Sequence, residues 1–485
     1  MNYKMVWKYL GLLVLAEALF LLPSALTAVI YREPDMLLAY AITIACCFAL
    51  GTVLYYFCRE SSQIIYAREG FVIAGSGWIL VSLLGALPFF LSGYIPNYLH
   101  AFFESVSGFT TTGASVLIDV EALPKSLLFW RSFTHWLGGI GVLAFILAAV
   151  RTKSGAGFTL HLLRAESPGP QVDKLMPKVH SSVRSLFFIY LILSALNLLL
   201  LLAGGMPLFD ALCTMFGTAG TGGVGIKNDS MASYSVYLQT VTTVFMALFG
   251  INFTIYFFLA MRQWKATLKD EELRLYIGII IASIAIVTGA LIIDGFSGFT
   301  GSLHHSAFAV SSAITTTGFS TLHYTQWPHL TRTVLMILMI IGAMGGSTGG
   351  GFKIGRILIL FKTVKIGLHR LLHPRSVKTV HINGKPLDKD VMDRTLLFLA
   401  VYCALIILAL LLVSIDGLPL DTNLSAVLSC FNNIGPGLGL AGPAGSYAVY
   451  SGFSMFVLTV TMLLGRLEIF PILFLFLPST FKRKG

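Results

Sequence analysis

Two short stretches carry residues whose types and spacing could do chemistry inside an otherwise apolar chain. Gly108–Ser115 reads Gly-Phe-Thr-Thr-Thr-Gly-Ala-Ser, and Ile314–Ser320 reads Ile-Thr-Thr-Thr-Gly-Phe-Ser. Threonine runs are poor helix formers and glycine is worse, so each stretch breaks a helix. Non-helical backbone at membrane depth leaves N–H and C=O groups unpaired, and it survives only where it is buried in protein or lines water. Lining water, such carbonyls can form stacked rings that replace the hydration shell of a cation. Glycine suits this role because it tolerates φ > 0 and lets the backbone come close to an ion, and threonine hydroxyls can add oxygen ligands.

Two further breaks fit the same column: Thr218–Gly225 (Thr-Ala-Gly-Thr-Gly-Gly-Val-Gly) and Asn432–Gly439 (Asn-Asn-Ile-Gly-Pro-Gly-Leu-Gly). Aligning all four places Gly113, Gly223, Gly318 and Gly435 together, separated by 110, 95 and 117 residues. The candidate ion-binding residues are therefore Thr111, Thr112 and Gly113, then Thr221, Gly222 and Gly223, then Thr316, Thr317 and Gly318, and last Asn433, Ile434 and Gly435. The glycine-rich second copy leaves its register open between Gly222 and Gly223. Small residues also permit close helix packing. Four breaks on one side, each preceded by a short helix, favour a pore instead.

The elements that must position these breaks follow from composition. The chain has 485 residues, 56% hydrophobic and 11% charged, with mean hydropathy +0.82. Soluble domains run near a quarter charged, so this is an all-α polytopic membrane protein with no large aqueous domain. Spans are expected near 7–30, 37–58, 71–93, 127–150, 182–204, 233–261, 273–294, 331–361, 392–415 and 447–478. Segments 99–112, 207–220, 302–317 and 421–434 are too short to cross about 30 Å of hydrocarbon and read as half-helices. Their negative C-terminal ends face the centre and favour cations.

The net charge of +11 does not point to nucleic acid, because the basic residues cluster between spans as the positive-inside rule expects. By alternation one side holds Arg32, Lys125, Arg131, Lys227 and Arg332. With Lys353 and Arg466 intramembrane, the other 26 of 33 Lys and Arg lie opposite, so both termini are cytoplasmic. The basic start and Ala-Leu-Thr-Ala ending of the first apolar run imitate a signal peptide, but the run exceeds a signal core and reads as a retained helix. The six cysteines lie mostly in apolar stretches with no C-x-x-C pattern and read as small core residues.

The organisation is four parallel pseudo-repeats of helix, pore half-helix, filter loop and helix around a central ion pore. The expected units are 1–60 (two additional N-terminal helices), 61–150, 151–262, 263–390 (with a broken inner helix) and 391–485. Parallel units repeat about an axis along the membrane normal.

The eighth span is itself interrupted. Six glycines fall within positions 342–351, too many for a stable helix. Gly345, Gly346, Ser347, Thr348, Gly349, Gly350 and Gly351 form a candidate gating loop beneath the filter; the plainer alternative is a passive kink. Arg466 is an intramembrane charge and by default a functional hypothesis. Facing the cavity it discourages cation passage, and otherwise it snorkels or pairs with Glu468. Lys353 is a weaker cavity charge that closes the broken helix near the cytoplasmic face.

The stretches Gly108–Ser115, Thr315–Thr321, Asn432–Gly439, Gly345–Gly351 and Gly465–Phe470 (Gly-Arg-Leu-Glu-Ile-Phe) resemble the TrkH branch of the Trk/Ktr/HKT superfamily of potassium transporters over essentially the whole chain. The resemblance implies K⁺ conduction through a four-fold pseudosymmetric filter, an intramembrane gating loop at 345–351, and two extra N-terminal helices. A glycine at position 113 goes with K⁺ preference in that family, and serine there with Na⁺ permeation in plant relatives. It also implies an inner-membrane homodimer, each protomer with its own pore, and a separate cytoplasmic TrkA-like ring that binds nucleotide. K⁺ is then the transported ion at the filter positions, and no covalent cofactor is expected. The longest cytoplasmic stretch, about 362–391, is too short for a nucleotide-binding domain, so such a partner would dock on basic loops 151–180, 262–274 and 362–391.

Other motifs carry less. Gly220–Gly225 and Gly437–Gly442 fit G-x-G-x-x-G but lack the strand, helix and acidic residue a dinucleotide site needs. Gly345–Lys353 lacks the Gly-Lys-Ser/Thr of a phosphate-binding loop, and His304-His305 reads as part of a half-helix rather than a metal pair. The rival functions are a secondary transporter coupling K⁺ to H⁺ or Na⁺, for which Glu17 and Glu468 are the obvious carboxylates, and, more remotely, a membrane-embedded enzyme.

Overall fold

The computed structural model describes residues 1–58, 67–141, 179–375 and 378–481. The chain starts with an antiparallel pair, α1 (Tyr3–Ile30) and α2 (Pro34–Phe57). Proline suits the first turn of α2, where its missing N–H is no loss. The pair touches backbone to backbone: a Cβ on Gly11 would lie 2.9 Å from the Gly51 carbonyl oxygen. It leans on the rest of the molecule through α3 (Ala67–Gly85) and α6 (Lys125–Ile140).

Four short helices occupy the expected half-helix positions: α5 (Tyr98–Phe109), α8 (Leu208–Ala219), α13 (Phe299–Ile314) and α17 (Leu420–Asn432). At 12 residues, α5 spans about 18 Å, which is short of a bilayer core. A side-chain cap or a preceding proline fixes where three of them start. Asn97 accepts from the Leu99 N–H at 2.9 Å, and Pro207 and Pro419 stand before α8 and α17.

The helix after each break is α6 (Lys125–Ile140), α9 (Val236–Phe249), α14 (His329–Ile341) or α18 (Gly452–Arg466). Each packs on the next half-helix: α6 on α8, α9 on α13, α14 on α17, and α18 back on α5. That order closes a circuit. Around it stand α4 (Leu87–Leu91), α7 (Val179–Ala203), α10 (Phe253–Ala260), α11 (Trp264–Leu268), α12 (Glu271–Ile293), α15 (Ile354–Leu372), α16 (Lys389–Val413), α19 (Phe470–Phe476) and α20 (Pro478–Phe481). Among the described residues α1, α2, the α3–α4 pair, α7, α12 and α16 are each long and apolar enough to cross a membrane. Their exposed faces are apolar, as at Leu19, Phe48, Leu199, Ile281 and Leu411.

The structure departs from the sequence reading in four places. The span expected at 233–261 is two helices, α9 and α10, bent by 91° at Gly250. There a Cβ would meet the Tyr276 hydroxyl at 2.4 Å, and Asn252 caps a new helix by accepting from the Thr254 N–H at 2.9 Å. The span expected at 447–478 breaks at Leu467–Ile469, where Glu468 (φ 54°) and Ile469 (φ 68°) are left-handed. Pro471 cannot donate to the Leu467 carbonyl and its ring would clash with it. Arg131 is not an exposed charge on the outer side but a buried residue of α6. The stretch 362–391 is not plain loop. Helix α15 runs on to Leu372, and a small hairpin pairs β1 (His381–Ile382) with β2 (Lys385–Pro386) across Asn383-Gly384, the turn pair that tolerates φ > 0 at both positions. The segment 142–178, which carries the end of the fourth expected span and most of the 151–180 loop, lies outside the described residues.

Candidate functional site

The four breaks share one backbone conformation. After each half-helix comes a residue in the left-handed region: Thr111 (φ 55°), Thr221 (53°), Thr316 (57°) and Asn433 (55°). Two residues later stands a glycine with positive φ: Gly113 (80°), Gly223 (63°), Gly318 (88°) and Gly435 (103°). The residue between them donates its N–H five residues back, from Thr112 to Ser107 (2.9 Å), Gly222 to Gly217 (2.9 Å), Thr317 to Ser312 (2.9 Å) and Ile434 to Ser429 (3.0 Å). This is the hydrogen bond of a Schellman helix end. A β-branched residue at φ > 0 is strained, and three threonines holding it mark a place where the surroundings impose the conformation. In the second segment Gly223 occupies the backbone position that Gly113 holds in the first.

Helix ends normally find partners for their carbonyls. Here, among the described residues, no hydrogen bond reaches the carbonyls of Thr111, Thr112 and Gly113, of Thr221, Gly222 and Gly223, of Thr316, Thr317 and Gly318, or of Asn433 and Ile434. The glycines also interlock. A Cβ on Gly113 would sit 2.0 Å from the Gly222 carbonyl oxygen, on Gly223 1.9 Å from that of Thr317, on Gly318 2.1 Å from that of Ile434, and on Gly435 2.7 Å from that of Thr112. Each segment leans on the next and the fourth returns to the first. All four glycines line one open vestibule of ≈ 110 Å³ together with Ser115, Gly225, Ser320 and Tyr447.

Four of the five threonine hydroxyls proposed as extra ligands are engaged within the protein. Thr112 Oγ1 pairs with Thr110 Oγ1 and Thr317 Oγ1 with Thr315 Oγ1, both at 2.7 Å. Those of Thr221 and Thr316 donate to the preceding carbonyls at 2.6 and 2.7 Å. Backbone carbonyls are what the site leaves free.

Sequence reasoning missed the residues behind the ring. Glu104 of α5 is buried and ion-paired with Arg131; it also accepts from Ser115 Oγ (3.1 Å) and the Val116 N–H (3.1 Å). Arg131 in turn donates to the Gly225 carbonyl at 3.2 Å, so one buried pair braces the first two segments. His135 explains the odd second copy. A Cβ on Gly222 would lie 1.4 Å from His135 Nδ1, so the imidazole fills the space that a threonine side chain fills at 112 and 317. Gly222→Thr should overpack this contact at a cost of about 1–3 kcal/mol or more and lower the melting temperature in detergent. Adding His135→Gly should restore most of the loss. Unchanged melting of the single variant would show that the ring does not dictate glycine there.

The loop 342–353 lies directly under the ring and is tied from every side. Its backbone donates from Gly351 to the Asn432 carbonyl (3.0 Å) and from Met344 to that of Gly250 (3.1 Å). The Gly350 N–H reaches Thr316 Oγ1 at 2.6 Å and the Gly345 N–H reaches Glu272 Oε1 at 2.8 Å. The α9–α10 bend receives it, with the Phe253 N–H donating to the Gly346 carbonyl at 3.1 Å. Gly350 has no room for a side chain, since a Cβ would fall 2.1 Å from the Asn432 carbonyl oxygen.

Arg466 closes the underside. It does not pair with Glu468, which is held by Arg356. Its guanidinium donates to the Thr348 carbonyl (3.0 Å), to the Gly138 carbonyl and to that of Gly139 (3.0 Å), and it lies 5.8 Å from the Trp78 ring centre. Lys353 is a buried residue that stands at the start of α15, where the broken helix resumes, with its ammonium on the Gly349 carbonyl. His304 and His305 bond to Gln239 Oε1 (2.7 Å) and Thr321 Oγ1 (3.0 Å). Glu17 is buried beside Gly85.

Residues 37–483 match the model of the TrkH family, described as a cation transport protein. The Trk system potassium uptake protein TrkH of Salmonella typhimurium (strain LT2) is 33% identical over 485 residues, covering 99% of each chain. The Trk system potassium uptake protein TrkG of Escherichia coli (strain K12) is 33% identical over 479 residues, 98% of each. The crystal structure of the potassium transporter TrkH from Vibrio parahaemolyticus matches with a TM-score of 0.87 at 30% identity, over 99% of this chain and 100% of that one.

Proposed function

The chain belongs to the TrkH family of cation transport proteins, and on that premise we propose that it takes up K⁺ through a channel-like pore whose filter is the glycine ring. It is a multi-pass membrane transport protein, not an enzyme. The observation that carries the reading is the closed circuit of four segments whose carbonyls, Gly435 excepted, accept no hydrogen bond among the described residues. A dehydrated cation is the ligand that an oxygen-rich, donor-free ring suits, and the names of the relatives point to potassium.

The filter layers are Thr111, Thr221, Thr316 and Asn433; Thr112, Gly222, Thr317 and Ile434; and Gly113, Gly223, Gly318 and Gly435. Residues 61–150, 151–262, 263–390 and 391–485 form four pore units about the axis, with 1–60 outside them. The loop 345–351, pinned by Arg466, Lys353 and Glu272, is the closed gate. The chain sits in the inner membrane with both termini cytoplasmic, as the charge bias supports, forms a homodimer with one pore per protomer, and is opened by a separate TrkA-like nucleotide-binding protein docked on the basic cytoplasmic segments.

Uncoupled conduction is preferred over coupling to H⁺ or Na⁺, because Glu468 is engaged by Arg356 and Glu17 is enclosed beside α3. Purified protein in liposomes with an imposed K⁺ gradient tests this. K⁺ flux should follow the electrical gradient, with a reversal potential that does not move with ΔpH. A pH-dependent reversal potential would show coupling, and absence of K⁺-selective flux with and without the cytoplasmic partner would reject the transport reading.

A further inference from the structure

We propose that the outermost ring of the filter is three-sided: the Gly435 carbonyl is held off the ion by Ser429 and Tyr447, and water completes the shell in that quadrant. The inference rests on the filter reading above. Among the described residues, the first three segments leave the carbonyl of the positive-φ glycine without a partner, at Gly113, Gly223 and Gly318. The fourth does not. The Gly435 carbonyl accepts from Ser429 Oγ at 2.7 Å and from the Tyr447 hydroxyl at 2.7 Å, which occupies both of its lone pairs.

The sequence supplies the cause. Gly435 is followed by Pro436, where the other segments continue with Ala114, Val224 and Phe319. Proline offers no N–H behind the filter and restricts the residue before it. Hydroxyls therefore anchor this peptide through its carbonyl. Both donors come from behind the ring. Ser429 belongs to α17. Tyr447 is 3% exposed, its ring centre 5.5 Å from that of Phe103 on α5. Its backbone N–H donates to the Ser115 carbonyl at 2.9 Å, and Ser446 Oγ reaches the Val116 carbonyl at 2.8 Å. Tyr447 thus sits on the seam between the first and fourth segments and sets the direction of the Gly435 carbonyl. Tyr447 and Ser429 are positioning residues: they act on the ion through that carbonyl, and the vestibule beside it has space for the replacing water.

The test is K⁺ flux into liposomes by the full chain, comparing the parent with Tyr447→Phe, Ser429→Ala and the double variant, with Gly113→Ser alongside. Freeing the carbonyl adds a fourth oxygen dipole to the outer ion position, so the double variant should lower the KM for external K⁺ by roughly threefold or more, with each single variant in between. A purely structural role would leave KM where it is while lowering thermal stability. An unchanged or raised KM in a double variant that still conducts overturns the inference, because a raised value means the two hydroxyls aim the carbonyl at the ion instead of away. A parent without K⁺ preference, unaltered by Gly113→Ser, fails at the filter reading itself and overturns this inference with it.

Discussion

Gly113→Ser is expected to cut the K⁺/Na⁺ permeability ratio by about tenfold or more, which corresponds to about 1.4 kcal/mol of lost discrimination. The backbone at Gly113 has φ 80°, and a Cβ there would lie 2.0 Å from the Gly222 carbonyl oxygen. No rotamer relieves a clash made by Cβ itself, so the backbone must give way. The group that moves is a carbonyl of the middle layer in the neighbouring segment, so one substitution disturbs two quadrants and two layers. A wider, less regular ring loses its preference for the larger, more easily dehydrated cation. Bi-ionic reversal potentials in liposomes read this directly, with the melting temperature in detergent as the control for folding. An unchanged ratio in a folded variant would remove Gly113 from the filter.

The same geometry explains which parts of the site were legible in the sequence. Threonine and glycine at the end of an apolar half-helix are visible in the residue types, because poor propensity and φ > 0 leave a compositional mark. The register of the second copy was not, because the reason for Gly222 lies 87 positions away in His135 and is a matter of space. Glu104 and Arg131 were invisible for a related reason. On a sequence each is an isolated charge, and only the fold brings them together behind two filter segments. Tyr447 stood only as the first residue of the span expected at 447–478.

The helices show the converse limit. Apolar length reveals a span but not where it bends, so the break at Gly250 was missed, and so was the one at Leu467–Ile469. Pro471 was a local signal for the second that apolarity masked. The glycine cluster at 342–351 was legible because six glycines overwhelm helix propensity. What the cluster docks against was not. Its partners are the Asn432 and Gly250 carbonyls, Thr316 and Glu272, drawn from three of the proposed pore units. That dispersion makes the loop sensitive to movement of any of them, as the proposed gate requires.

Arg466→Ala should raise basal K⁺ flux by about tenfold or more. The guanidinium bridges the loop at Thr348 to α6 at Gly138 and Gly139, joining the proposed gate to a helix of another proposed pore unit. A hydrogen bond from a charged donor contributes about 1.5–3 kcal/mol, so losing even one shifts a closed-to-open equilibrium by roughly tenfold. In the proposed pore the positive charge would also stand beneath the ring and repel an arriving cation. The two effects separate with Arg466→Lys. Lysine keeps the charge but is a point donor that cannot span both sets of carbonyls as a planar fork does. If bridging dominates, both variants conduct more than the parent. If charge dominates, only alanine does. Deleting residues within Gly345–Gly351 should raise flux in either case, since it removes the obstruction itself. Arg466 lacks a gating role if Arg466→Ala leaves the flux unaltered while the protein remains folded and selective. Arg466 would then serve only to pack the α18 end against Trp78 and α6.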